Sequence, residues 1–170
     1  MKKRALYTFV PVFLMAILFS PLTVSSSSAI ITIPPSAFQP IVNCDFRNDG
    51  AEIYPEGGNP CLDFHAPVYL PQGVTATKLI FYWRDVSASE NGVCGFFREN
   101  HYGAVYTGYG MGYTQGSDLY YSSTTVDLTG ALIDYSSGGY FIYCSVPANT
   151  MLFSVQLEYT YNTFLAMIFR

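Results

Sequence analysis

The stretch MLFSVQLEY, residues 151–159, sets Met151, Phe153, Val155, Leu157 and Tyr159 against Leu152, Ser154, Gln156 and Glu158. Successive side chains of an extended chain point to opposite faces, so this alternation describes a strand with one apolar and one mostly polar side. Residues 75–84 repeat the pattern, with Leu79, Phe81 and Trp83 opposite Lys78, Ile80, Tyr82 and Arg84. Tyr140, Ile142, Cys144 and Val146 form a third inward set. Val126 and Leu128 form a fourth, at the end of a strand starting near Leu119. Shorter strands are expected over 66–70 and 93–98. The composition agrees: 15 Tyr and 13 Phe with only 12% charged residues suit pleated, half-buried surfaces.

Between these runs the chain carries turn chemistry. Asn91-Gly92 suits the positive φ angles of a tight hairpin, and Ser137-Gly138-Gly139 has the same character. Pro71-Gln72-Gly73 closes one strand, and Pro147-Ala148-Asn149-Thr150 separates the last two. No segment of the mature chain shows a capped helical period. The expected fold is all-β, an antiparallel β-sandwich of jelly-roll type.

The N-terminus reads as a leader. Lys2, Lys3 and Arg4 precede an apolar run over 5–19, then come Ser20-Pro21 and a small-residue stretch ending at Ala29. Ser27 and Ala29 fit a signal-peptidase site, so residues 1–29 are a signal peptide and 30–170 a single mature domain. The apolar run is 15 residues long, short of the roughly 20 that cross a bilayer as a helix, so no stable membrane span is expected after cleavage. Of the 8 basic residues, three lie in the leader, which leaves 5 against 12 acidic ones and a formal charge of −7. The remaining cations, Arg47, Lys78, Arg84, Arg98 and Arg170, are scattered, which argues against nucleic acid as a partner.

Cys44, Cys61, Cys94 and Cys144 all fall in the mature part. An even number of cysteines in an exported chain implies disulfides, here two with three connectivities open. Cys44–Cys61, closing a Gly/Pro-rich loop, and Cys94–Cys144, joining two strands, are favoured. A zinc site would need closer ligand spacing than these cysteines or the isolated His65 and His101 offer.

Three segments, Ile33-Pro34-Pro35-Ser36-Ala37-Phe38-Gln39-Pro40, Ala66-Pro67-Val68-Tyr69-Leu70-Pro71-Gln72-Gly73 and Val155-Gln156-Leu157-Glu158-Tyr159, flank the strand from Thr75 to Asp85. This layout resembles a group of secreted bacterial β-sandwich proteins with the pattern APVxLPxG, VTxLxFYYxD, VxLEYT. The resemblance implies fold and export, and brings no activity with it.

Candidate chemistry is sparse. Glu99 and His101, two apart, could share one face of a strand, but in this polar context they read better as a corner between strands. Asp45, Asp49, Gly50 and Glu56 fall at four positions of a calcium loop. Arg47, however, stands where a ligand oxygen belongs, so a disulfide-closed acidic loop is expected and no metal or cofactor. The most unusual stretch interleaves Tyr102, Tyr106, Tyr109 and Tyr113 with Gly103, Gly108, Gly110, Gly112 and Gly116. Its glycines precede no helix, which argues against a phosphate loop. Its tyrosines could form a binding loop or fold back over the sandwich edge. Residues 161–170 form an apolar tail that could add to a second copy by strand pairing. The expectation is a secreted, extracellular, non-enzymatic module that binds a glycan or protein at the cell surface or matrix. The alternatives, in order, are a self-assembling structural subunit and a hydrolase.

Overall fold

The computed structural model describes residues 25–101, 103, 105–115 and 120–163, and the compact unit Ser28–Tyr161 is taken by itself. Its strands are β1 (Ser25–Ile33), β2 (Gln39–Pro40), β3 (Phe46–Asn48), β4 (Ile53–Pro55), β5 (Asp63–Val68) and β6 (Thr75–Asp85). They continue with β7 (Val93–Glu99), β8 (Tyr106–Tyr113), β9 (Ser122–Leu132), β10 (Gly139–Ser145) and β11 (Thr150–Thr163). One sheet of six strands runs β3-β4-β11-β6-β9 with β1 also on β11. A second of five runs β2-β5-β10-β7-β8. The architecture is the antiparallel, jelly-roll-like β-sandwich expected from the alternation. Among the described residues, Pro35–Ala37 form a single 3-10 turn, and no helix is long and apolar enough to cross a membrane.

The core lies between the sheets. Leu79, Phe81 and Trp83 of β6 and Leu152, Val155 and Leu157 of β11 face Phe64, Ala66, Phe96, Tyr140 and Ile142 of the other sheet. The face of β11 departs from simple alternation. Leu152 pairs with Trp83 and Ser154 with Tyr82, so Phe153 is an extra residue in a bulge. A bulge shifts the parity of everything beyond it. Val155 and Leu157 therefore point inward with Leu152, while Phe153 turns out and packs edge-on against Tyr121, ring centres 4.7 Å apart. Against β11, Thr77 is the corresponding extra residue of β6.

Most turns are not hairpins. From β5 onward every connection except β7–β8 passes from one sheet to the other. Asn91-Gly92, expected as a tight hairpin turn, lies in the crossover between β6 and β7, and Gly92 has no positive φ. Pro71-Gln72-Gly73, Ser137-Gly138-Gly139 and Pro147–Thr150 are likewise corners between sheets, with positive φ at Gly73, Gly138 and Asn149.

Disulfides join Cys44 to Cys61 and Cys94 to Cys144. The second links directly paired residues of β7 and β10 inside the core. At the end of the sandwich the buried Asp85 accepts hydrogen bonds from the Ser87 amide at 2.9 Å and from the Thr114 hydroxyl, which itself accepts from the Gly92 amide at 2.8 Å. This network fastens the crossover to β8. Asp85→Ala strands a buried hydroxyl and an amide, and a loss of about 2–3 kcal/mol is expected, read as a lower urea midpoint. The exposed Asp127→Ala should change stability by less than about 0.5 kcal/mol, and equal effects for the two variants would contradict this role for Asp85.

Candidate functional site: an aromatic cleft on the five-stranded sheet

Because Phe64, Ala66 and Val68 of β5 point inward, His65 and Pro67 point out, followed just past the strand by Tyr69. The same parity in β10 turns Tyr140, Ile142 and Cys144 in and Gly139, Phe141 and Tyr143 out. In β7, Cys94 and Phe96 face the core, so Gly95, Phe97 and Glu99 face outward. Strand register then assembles these residues into rows. His65, Tyr143, Gly95 and Met111 stand side by side across β5, β10, β7 and β8. Pro67, Phe141, Phe97 and Gly108 make the next row, and Gly139, Glu99 and Tyr106 the one beyond.

The rings touch. Phe97 stacks on Phe141 with centres 5.7 Å apart, Tyr106 meets Phe141 edge-on at 5.7 Å, and Tyr143 meets Phe97 edge-on at 6.2 Å. Together they floor a cleft of about 820 Å³, walled by Tyr69, Ile41 and Tyr135. Tyr69 is 81% exposed and Tyr106 59%. An aromatic cluster on the solvent side of a sheet is unusual, since such rings gain most by facing the core. Gly139 leaves a gap in the row it shares with Glu99: a Cβ built there meets nothing within 4 Å. Glycine inside a strand weakens it unless a close approach needs the space.

The cleft is held by its neighbours. The Tyr143 hydroxyl donates to Asp63 Oδ1 at 2.5 Å, and burial, helped by this bond, raises its pKa above the ordinary tyrosine value. Tyr135 accepts from the Leu70 amide at 2.9 Å and donates to the Leu70 carbonyl at 3.0 Å. Asp134 organises the rim. Its Oδ1 accepts from the Ser136 hydroxyl at 2.7 Å, the Ser136 amide at 3.0 Å and Gln72 Nε2 at 3.1 Å, bonds that lower its pKa to about 2. A depressed carboxylate stabilises the fold above its ordinary pKa of 3.8 and loses that contribution as pH falls through its folded value. The Ser136 amide should therefore exchange faster with solvent as pH drops from 3.8 toward about 2, beyond the intrinsic change. Followed by NMR, Asp134→Asn should lack this step, and its persistence in the variant would discount the carboxylate.

The tyrosine-glycine segment is an edge strand, not a loop. Phe96 pairs with Gly110 and Phe97 with Gly108, leaving Tyr109 as a bulge residue. Tyr109 is thereby turned inward onto Phe96 at 5.6 Å and Tyr140 at 6.2 Å, and burial raises its pKa. Of the four tyrosines singled out from sequence, only Tyr106 is placed in the cleft. Tyr113 is exposed on the same strand outside it, Tyr109 belongs to the core, and Tyr102 lies outside the described residues. The glycines have a packing reason. A Cβ at Gly112 would lie 2.4 Å from a Val126 methyl, and one at Gly110 2.9 Å from a Leu128 methyl. Bare backbone lets β8 close against β9, where the Thr124 hydroxyl donates to the Tyr113 carbonyl at 3.0 Å.

Among the described residues Glu99 and His101 share no ion pair or hydrogen bond. Glu99 lines the cleft, while His101 Nε2 lies 2.9 Å from the Ser136 carbonyl oxygen. In the acidic loop, Asp45 Oδ2 accepts from the Asn59 amide, and Asp49 Oδ1 accepts from the amides of Ala51 and Glu52 while its Oδ2 pairs with Arg47 at 3.7 Å. Residues 1–24 of the expected leader and 164–170 of the apolar tail lie outside the described residues, while Ser25 to Ala29 belong to β1.

No family model and no curated protein matches this chain. Among solved structures it is similar to the C-terminal CBM6 module of LamC, a marine laminarinase from Zobellia galactanivorans, at 12% identity and a TM-score of 0.44, over 76% of this chain and 98% of that one. It is also similar to the xylan-binding module CBM15, at 8% identity and 0.47, over 78% and 97%. A third likeness is to the family 29 carbohydrate binding module from Piromyces equi, at 7% and 0.44, over 80% and 91%.

Proposed function

We propose that this protein is an exported, extracellular module that binds a carbohydrate chain along the outer face of its five-stranded sheet. The observation that carries this reading is the contiguous cluster Phe97, Phe141, Tyr106 and Tyr143 on the solvent side of the sheet, in a cleft with few polar groups. Sugars present apolar C–H faces rimmed by hydroxyls. Flat ring surfaces receive the former, and a small number of placed polar groups fixes the latter. Three adjacent strand spacings of roughly 4.8 Å make a row long enough for more than one sugar ring. A binding role without hydrolysis is supported by the lining itself. Glu99 is its single carboxylate among the described residues, whereas glycoside hydrolysis ordinarily uses two. Export is supported by the basic and apolar leader and by two disulfides, which persist in oxidising compartments.

Affinity electrophoresis through gels containing a neutral β-glucan, xylan, chitosan or pectate tests the reading. Retardation by at least one polysaccharide, abolished by Phe141→Ala, is the expected result. Unretarded migration through all four would remove it.

A further inference from the structure

Resting on that reading, we infer that Glu99 makes the cleft select a glycan bearing protonated amino groups, an unacetylated amino sugar. Glu99 stands at the end of β7 between Gly139 of β10 and Tyr106 of β8. Glu99 is one of the residues lining the cleft, and the missing side chain of Gly139 leaves open space in the row they share. Among the described residues its carboxylate has no ion-pair or hydrogen-bond partner. The salt bridges among the described residues are Arg47–Asp49 and Lys78–Glu158, both elsewhere. A partly exposed carboxylate with no protein partner is free to take a charged donor from a ligand in exchange for water.

Glu99 and the imidazole of His65 are the acid and base of the lining among the described residues, and Arg98, next in the chain, is turned to Thr107. Neither lysine nor arginine occurs among the lining residues. Asp63 lies behind Tyr143, and Asp134 holds the rim as a carboxylate with its pKa lowered to about 2. An anionic sugar would meet uncompensated negative charge, and a neutral one would gain a single hydrogen bond. An ammonium group gains a charge-assisted bond to Glu99 and attraction to the faces of Tyr106 and Phe141, since ring faces carry negative potential. The gap over Gly139 is where such a group reaches the carboxylate.

Calorimetric titration of the full-length protein at mildly acidic pH compares three oligosaccharides of equal length: glucosamine, cellulose-type glucose and galacturonate. The expected order is glucosamine tightest and galacturonate weakest, with the advantage over glucose shrinking as salt screens the charge. Glu99→Gln should weaken glucosamine binding by roughly tenfold or more, the scale of one charge-assisted hydrogen bond, and move glucose binding far less. Gly139→Lys, which places a cation in open space beside Glu99, should shift preference toward galacturonate without disturbing the fold. Equal affinity for glucosamine and glucose, or a ratio unmoved by both substitutions, overturns the inference and leaves carbohydrate binding standing. Binding of none of the three overturns the inference, and carbohydrate binding falls with it only if xylan also fails to retard the protein.

Discussion

Phe141→Ala is expected to weaken glycan binding by about 2 kcal/mol or more, roughly thirtyfold, the loss typical of a central aromatic anchor. Phe141 occupies the middle of the cleft floor, between Pro67 and Phe97 in its row and edge-on to Tyr106. Because it points away from the core, its removal opens no interior cavity. The stability cost is limited to its ring contacts, about 1 kcal/mol apiece. Tyr113→Ala supplies the control. That tyrosine is 57% exposed on β8 of the same sheet yet stands outside the cleft, so its removal should leave affinity unchanged. Direct titration of both variants with the polysaccharide that retards the wild type measures the contrast. Equal losses at Phe141 and Tyr113 would mean that generic stickiness, not this cleft, holds the glycan.

The largest expected effect on the fold comes from a single methyl group. Gly138 adopts φ 147° at the corner where the chain leaves β9 and enters β10, and a Cβ there would sit 1.8 Å from the carbonyl oxygen of Glu99. Backbone cannot swing aside as a flexible side chain can, so Gly138→Ala must displace β10 from β7 or distort the corner. A loss of about 3–5 kcal/mol is expected, the size reserved for backbone clashes and overpacking. For a domain of this size that corresponds to a fall in melting temperature of roughly 10–20 °C. Gly139→Ala, one residue on, meets open space and should change stability by less than about 1 kcal/mol. Scanning calorimetry of the two variants checks the prediction, and similar melting temperatures would contradict the close packing at this corner.

Gly138 also shows how local signals can be legible while their tertiary use is not. Glycine after Ser137 marks a break in any reading of the chain, but only the assembled sheets reveal that the break is a corner pressed against Glu99. Asn91-Gly92 misleads for the same reason. Its hairpin chemistry is real, yet β6 and β7 belong to different sheets, and Gly92 is needed where a Cβ would press within 3.2 Å of Thr150. Period-two alternation placed Leu79, Phe81 and Trp83 in the core correctly because no bulge intervenes among them. On β11 it assigned Met151 and Phe153 to the core face, since an extra residue at Phe153 leaves no mark in a run of alternating residues.

One apolar face per strand accounts for the core but not for the cleft. Tyr140, Ile142 and Cys144 alternate inward, and the intervening Phe141 and Tyr143 are aromatic as well. A strand that is aromatic on both sides has more apolar surface than its core face can bury, and the surplus must go to a second surface. That signal was available in residues 139–145 and, with Phe96 and Phe97, in 93–99. The glycine-spaced tyrosines are a different signal, whose spacing reflects the close approach of β8 to β9. Of those among the described residues, Tyr106 lines the cleft and Tyr109 and Tyr113 do not.

The central claim is that the outer face of the five-stranded sheet is the glycan-binding surface. An NMR titration of the protein with the glucosamine oligomer, repeated with the glucose oligomer, tests it residue by residue. The backbone amides of Phe97, Glu99, Phe141 and Tyr143 should shift together and saturate with one dissociation constant, while Lys78, Tyr82 and Gln156 on the outer face of the opposite sheet stay still. Shifts centred on that opposite sheet, or an unmoved spectrum with both oligomers, would contradict the account.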